Sequence, residues 1–251
     1  MKTVAIVLAA GKGSRMKQAV PKQFLEVGGY PLIFHSLKTF EESEVDGIIL
    51  VTGEESLDYC KKEIVDKYHF QKVWDVVPGG SERYISVHHG LMAVEKADIA
   101  LIHDGARPCV SRELIRRVIA SVKQYGSGVT AVHAKDTISQ ADEGEFLMAT
   151  LDRSTLWNIQ TPQGFYFDEI FKAYERVVTE PSAEVMVPSG NGMMAKQLRD
   201  VITDDASALR YGSTTLRKIK LVEGSYQNIK VTTPEDILVA ELFLGIEKFD
   251  D

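Results

Sequence analysis

Short apolar runs of strand length alternate with segments of helical periodicity through the first half of the chain. No other feature narrows the possible folds as much. Val4–Leu8, Gly47–Val51, Val73–Val77, Ala100–Ile102 and Val129–Val132 are rich in Val, Ile, Leu and Ala. Strands covered on both faces read this way, whereas a half-exposed strand alternates with polar residues. Between them, Leu32–Phe40, Leu57–Tyr68, Tyr84–Val94 and Leu114–Tyr125 carry apolar residues at helical spacing. This order implies an α/β fold: a mostly parallel twisted sheet with helices on both faces. Ligands of such sheets gather beyond the carboxyl ends of the strands, so the loops after Leu8, Val77, Ile102 and Val132 are the ones to inspect. At 251 residues the chain suffices for a single domain of this kind spanning 1–251.

The pattern breaks after about residue 135. Ile138–Thr150 reads as two short strands around Ala141-Asp142-Glu143-Gly144, a β-arm at about 137–153. Such an arm is too small to be stable alone, so it is expected to pack on another subunit. The parallel pattern is expected to resume near Trp157–Gln160. Proline, glycine and serine crowd Glu180–Gly192, which predicts an exposed loop insertion at about 180–196. Pro234 is placed to open a last helix, Pro234–Glu247.

The net charge of -7 argues against bulk nucleic-acid binding. An anionic substrate must instead be drawn into a local basic pocket. The two cysteines, Cys60 and Cys109, lack metal or redox spacing and read as reduced, unpaired thiols. The N-terminal apolar run is too short for a signal peptide, and no run approaches membrane-spanning length. The expectation is a soluble cytoplasmic protein with no membrane partner.

The first strand runs straight into Ala9-Ala10-Gly11-Lys12-Gly13-Ser14-Arg15-Met16, with Pro21-Lys22 just beyond. Small side chains let backbone N–H groups approach an anion, and Arg15 and Lys22 add full charges. The order of glycine, lysine and serine does not match a Walker A loop. Met16 stands where a dinucleotide fingerprint needs its third small residue. The alternative is a solvated glycine turn.

Each further loop carries charge or hydroxyls. Gly79-Gly80-Ser81-Glu82-Arg83, then Ser86, suits a polar base or a phosphate, or is a simple turn capped by Ser81. His103-Asp104-Gly105-Ala106-Arg107-Pro108 puts a carboxylate at a strand end. Asp104 there can hold Mg²⁺ or a ribose, or can brace the loop by pairing with Arg107. His103 has no evident nucleophile or base partner and reads as structural. Lys135-Asp136-Thr137, Arg153, Gln160-Thr161-Pro162-Gln163, Thr203-Asp204-Asp205-Ala206 and Asn228-Ile229-Lys230 follow. Singly these are helix caps or surface charges; together they offer a second anion site.

In order, LAAGKGSRM with PKQFL, GGSERYISV, HDGARP, KDT, R-x-x-LW-x-IQTPQGF, TDDA and NIKVTTPEDI resemble the successive motifs of the 2-C-methyl-D-erythritol 4-phosphate cytidylyltransferase family over nearly the whole chain. The resemblance implies a Rossmann-like nucleotidyltransferase fold with a protruding β-arm, assembled as a homodimer. It implies that Ala9, Ala10, Gly11 and Arg15 surround the CTP phosphates and that Gly80, Ser81 and Ser86 lie by the cytosine. Asp104 and Ala106 would sit near the ribose, the α-phosphate and Mg²⁺. Arg15 and Lys22 resemble transition-state stabilisers. Arg153 and Lys230 resemble the pair that positions the sugar phosphate, with Thr137, Thr161 and Thr203. Thr137 and Arg153 would serve the neighbouring subunit's site. The family usually joins its QTPQGF and TDDA motifs by a shorter stretch, so the 180–196 insertion falls beside Thr203 as a loop or flap. A cytidylyltransferase for another polyol phosphate, such as ribitol 5-phosphate, is the nearest alternative. A nucleotide-binding module without turnover is a more distant one.

Overall fold

The computed structural model describes residues 1–11, 21–189, 192–213 and 218–246. Alternate side chains of Thr3–Ala9 (β1) enter two different cores. Ala5, Val7 and Ala9 join one, Val4 and Ile6 the other. Period-two alternation in a strand covered on both faces explains why the run is apolar at every position. Two-residue strands β2 (Glu26–Val27) and β3 (Tyr30–Pro31) pair with each other and lead into helix α1 (Leu32–Glu41). Then come β4 (Gly47–Thr52) and α2 (Leu57–Tyr59). The second of these continues as a π-helical stretch, Cys60–Asp66, not the uniform α-helix that periodicity predicts. Strands and helices then alternate as expected through β5 (Val73–Pro78), α3 (Arg83–Met92), β6 (Ile99–Asp104), α4 (Arg112–Tyr125) and β7 (Ser127–His133).

Helix α4 shows how locally these elements are specified. Ser111 Oγ accepts the Leu114 N–H at 3.2 Å, and Gly126 ends the helix with φ +81°. Each is a favoured capping choice, the first worth about 1 kcal/mol. Leu114, Ile115, Val118, Ile119 and Val122 form its buried stripe. With α1 it covers one face of the sheet.

The chain then leaves the sheet as a hairpin of β8 (Ser139–Ala141) and β9 (Leu147–Thr150), exposed along its length. Asp142 Oδ1 closes its turn by accepting the Gly144 and Phe146 N–H groups, both at 2.9 Å. The return strand β10 (Trp157–Tyr166) is antiparallel to both β6 and β7. This corrects the expectation that the parallel pattern resumes at Trp157. A chain that comes back from a hairpin arm with no crossover helix can only pair antiparallel with the strand it left.

Helix α5 (Phe167–Thr179) follows, and the stretch read as a loop insertion at 180–196 proves to hold a second hairpin. β11 (Glu184–Ser189) pairs antiparallel with β12 (Gly192–Gln197). The Val185-Met186-Val187 run supplies strand propensity that the prolines and glycines mask. Pro188 is tolerated because a two-stranded ribbon has only free edges. Helices α6 (Leu198–Val201) and α7 (Asp205–Gly212), strand β13 (Leu221–Glu223) and helix α8 (Glu235–Phe243) complete the described chain.

The seven-stranded sheet has the order β13-β7-β10-β6-β1-β4-β5. Helices α3, α5 and α7 cover the face opposite α1 and α4. β1 has β4 on one side and β6 on the other, both parallel to it. The chain therefore reverses its direction of winding at β1, and a crevice opens beyond the carboxyl ends at that point.

Candidate active site

A cleft of about 430 Å³ lies at this switch point. Ala9, Ala10 and Gly11 line it after β1; Gly80, Ser81, Arg83 and Ser86 after β5; Asp104 and Ala106 after β6. Lys22 and Lys230 complete its rim. The loops touch each other closely. A Cβ on Gly79 would stand 2.5 Å from Ala10 Cβ, and one on Gly105 would stand 2.9 Å from the Leu8 carbonyl oxygen. Ser86 Oγ accepts the Gly80 N–H at 3.0 Å and donates to the Glu82 carbonyl at 3.1 Å, which folds the glycine loop back over α3. Arg15 lies outside the described residues.

The electrostatic centre is Asp104, which ends β6. Its Oδ1 accepts Arg83 Nε at 3.2 Å, its Oδ2 accepts Lys230 Nζ at 2.8 Å, and Arg107 Nε stands 4.0 Å away. Burial alone would raise this carboxyl, but Arg83, Lys230 and Arg107 together hold it well below the usual carboxylate range. Asp104 is thus a permanent anion among three cations. Each of its oxygens accepts one of these cations, and the side chain still lines the cleft. Among the described residues no three His, Cys, Asp or Glu side chains stand together as a metal site.

His103 is fully buried behind the loop. Its Nδ1 meets Thr161 Oγ1 at 3.1 Å and its Nε2 the Arg107 carbonyl oxygen at 3.3 Å. Burial pushes its pKa down to about 3, so the ring is neutral and serves as a brace. Thr161 is buried too, and its hydroxyl also accepts the Asp104 N–H at 3.0 Å. The structure therefore places Thr161 beneath the cleft floor, where it holds Asp104.

Two glutamines of β10 bind the outlying motifs to the sheet. Gln163 Nε2 donates to Asp204 Oδ2 at 3.1 Å, and its Oε1 accepts the Ala206 N–H at 2.8 Å. Gln160 Nε2 donates to the Ser225 carbonyl at 2.9 Å, beside the buried Asn228, which donates to the Thr161 carbonyl at 2.9 Å. Residues 228–232 then cross the Asp104 loop: Arg107 donates to the Asn228 carbonyl at 2.8 Å, the Val231 N–H to the Ala106 carbonyl at 2.8 Å, and Lys22 Nζ to the Val231 carbonyl at 2.9 Å. Lys22 and Lys230, far apart in sequence, reach the same cleft this way.

Thr137, Arg153 and Thr203 are exposed and stand apart from the cleft lining. Arg153, at the root of the arm, donates to the Lys135 carbonyl at 2.8 Å. Thr203 precedes the α7 cap, where Asp204 Oδ1 accepts the Ser207 N–H and Ser207 Oγ accepts the Asp204 N–H. Sequence reasoning missed Arg83. It forks onto Asp205 through Nη1 and Nη2 at 2.8 and 2.9 Å while Nε holds Asp104. The available signal was the pair of acidic motifs, HDG and TDDA, each needing a counter-ion once buried.

The family model for 2-C-methyl-D-erythritol 4-phosphate cytidylyltransferase matches residues 3–189 and 190–246. A protein of that name from Lachnospira eligens is 44% identical over 242 residues, 96% of this chain and 98% of its own. Another from Caldanaerobacter subterraneus subsp. tengcongensis is 40% identical over 247 residues, covering 97% and 99%. The crystal structure of a 4-diphosphocytidyl-2C-methyl-D-erythritol synthase from Anaerococcus prevotii superposes with a TM-score of 0.78 at 32% identity, over 97% of this chain and 98% of that one.

Proposed function

This chain belongs to the 2-C-methyl-D-erythritol 4-phosphate cytidylyltransferase family and is a nucleotidyltransferase, and from that premise we propose the course of its reaction. The cytidylyl group of CTP passes to 2-C-methyl-D-erythritol 4-phosphate, giving 4-diphosphocytidyl-2-C-methyl-D-erythritol and pyrophosphate, a step of isoprenoid precursor synthesis by the non-mevalonate route. The observation that supports it most is the meeting of Lys22, Lys230, the small-residue loops and Asp104 in one cleft at the switch point.

An oxygen of the 4-phosphate attacks the α-phosphorus of CTP in line. The new O–P bond forms as the bond to the β-phosphate oxygen breaks, and pyrophosphate leaves with the electron pair. An ionised phosphate is already a nucleophile, so no general base is needed, in keeping with a histidine that is buried and neutral. Catalysis then rests on positioning and on stabilising charge. Ala9, Ala10 and Gly11 present backbone to the phosphates. Lys22, with Arg15, neutralises the developing charge; Lys230 orients the acceptor phosphate. Mg²⁺ would be held by Asp104 at the cleft or by the phosphates of CTP, and would supply positive charge against the transferring group.

A homodimer joined through the β8–β9 arm is part of the reading. Phe146, Leu147 and Met148 are 73%, 71% and 64% exposed at its tip, a cost in water that an intersubunit contact removes. Thr137 and Arg153, off this chain's own cleft, would then serve the partner's. A cytoplasmic setting accords with the two unbridged cysteines. Among the described residues no helix is long and apolar enough to cross a membrane. The test is CTP-dependent pyrophosphate release over a panel of polyol phosphates. Release with 2-C-methyl-D-erythritol 4-phosphate is expected; release with ribitol 5-phosphate instead, or with none, overturns the reading.

A further inference from the structure

Asp205 is fully buried at the first turn of α7 and does not reach the cleft, yet it is the root of a charged chain that does. Tyr174 Oη donates to its Oδ1 at 2.6 Å. The two Nη atoms of Arg83 fork onto its two oxygens. Such a planar, bidentate pair fixes the guanidinium plane, and with it the position of the remaining nitrogen. That nitrogen, Nε, holds Asp104 Oδ1 and so turns Oδ2 to the Lys230 ammonium. We propose that Asp205 and Arg83 are positioning residues, which through Asp104 aim the Lys230 ammonium into the cleft. The inference rests on the transfer reaction above, with Lys230 at the acceptor phosphate.

The geometry favours this over a plain fold staple. A staple between α3 and α7 needs only the Arg83–Asp205 fork. Here the guanidinium spends its third nitrogen on a residue of the cleft. The chain of contacts also spans separate elements: Tyr174 on α5, Asp205 on α7, Arg83 on α3 and Asp104 at the end of β6. Lys230 lies on an irregular segment, and a long ammonium side chain loses its aim readily unless an anion of fixed orientation holds it.

The experiment is a double-mutant cycle on pyrophosphate release, with the KM of each substrate resolved. Asp205→Asn keeps the shape and removes the charge. It is expected to lower kcat/KM for the acceptor by at least about tenfold while the KM for CTP stays within about threefold. In a Lys230→Ala background the same change is expected to cost less than about threefold, because its target is gone. Tyr174→Phe, which leaves the fork intact, is expected to lower Tm while activity stays within about threefold. If Asp205→Asn does not fold, Arg83→Lys, which keeps the charge and loses the fork, enters the same cycle. A tenfold cost that persists without Lys230, or an Asp205→Asn enzyme within about twofold of the parent, overturns the inference and leaves the reaction standing. A parent enzyme that releases no pyrophosphate overturns the reaction instead. A crystal structure of the Asp205→Asn protein then decides the inference: Lys230 Nζ displaced from Asp104 supports it, and the contact kept at 2.8 Å overturns it.

Discussion

Replacing Asp104 by Asn removes one charge and leaves the shape of the site almost unchanged. The cost follows from what surrounds it. Arg83 keeps its fork on Asp205, so losing Asp104 does not orphan it. Lys230 is about a third exposed and can turn to water, which limits its contribution to about 1 kcal/mol. Arg107 is nearly buried, with Nε unpartnered apart from the carboxylate 4.0 Å away, so it loses its counter-ion outright. Charge-assisted hydrogen bonds contribute about 1.5–3 kcal/mol, and breaking a buried pair costs about 3–5. With two of three partners able to compensate, we expect about 3 kcal/mol from urea denaturation at pH 7. The pH dependence is a second check. The native carboxyl titrates well below its unfolded value of about 3.9, so its contribution is complete above about pH 4 and is lost as pH falls below that. The gap between parent and variant should be flat from pH 7 to 5 and narrow by about 1 kcal/mol at pH 3. A gap under about 1 kcal/mol at pH 7, or one that does not narrow in acid, refutes the picture of Asp104 as a permanently charged hub.

Four shorter expectations follow from the same geometry. His103, held neutral with a pKa of about 3 against an unfolded value near 6.5, contributes stability that is complete above pH 6.5 and declines by about 1.4 kcal/mol per pH unit below it; urea titrations at pH 7, 6 and 5 should be flatter by one proton in His103→Gln, and identical slopes would count against the assignment. Gly105→Ala puts a Cβ 2.4 Å from Ile33 Cδ1 as well as against the Leu8 carbonyl, and should cost about 1–3 kcal/mol in thermal denaturation; an unchanged Tm contradicts that packing. Lys22→Ala should lower turnover on the order of hundreds-fold with the KM for CTP within about threefold, and turnover within about threefold of the parent removes Lys22 from the chemistry. Charging the arm tip with Phe146→Asp and Leu147→Asp should convert a dimer to monomers in sedimentation velocity; a dimer that survives both changes moves the interface elsewhere.

Much of this architecture was legible from residues alone because local and long-range signals agree. Val4–Leu8 is apolar throughout, and β1 is buried on both faces. Ser111 and Gly126 bracket a helical stripe, and α4 begins and ends beside them. The direction of β10 was not legible, since an apolar strand carries no mark of parallel or antiparallel pairing. The 184–197 hairpin was hidden because the prolines, glycines and serines around it outweigh the short Val185-Met186-Val187 run. At the site, the glycines and lysines announced themselves by type. His103 already read as structural for want of a catalytic partner, whereas Thr161 resembled a substrate ligand, and its burial with a hydrogen bond to the Asp104 N–H shows it as a support. Arg83 was invisible as a hub because its partners, Asp104 and Asp205, stand far from it in sequence and meet it only when β6 and α7 converge on α3.

The antiparallel course of β10 sets where tolerance to change ends. Its first half, not its exit, delivers Thr161 to the Asp104 N–H, and its first residues follow directly on the arm. A deletion or insertion of one residue between Thr150 and Trp157 leaves the strand two ways to absorb it. Either the arm takes up the change, or β10 slides by one place and every side chain on it swaps faces. A length change in this connector is therefore tolerated only if the exposed arm absorbs it, because a slide of β10 would turn buried side chains such as Phe165 out of the core.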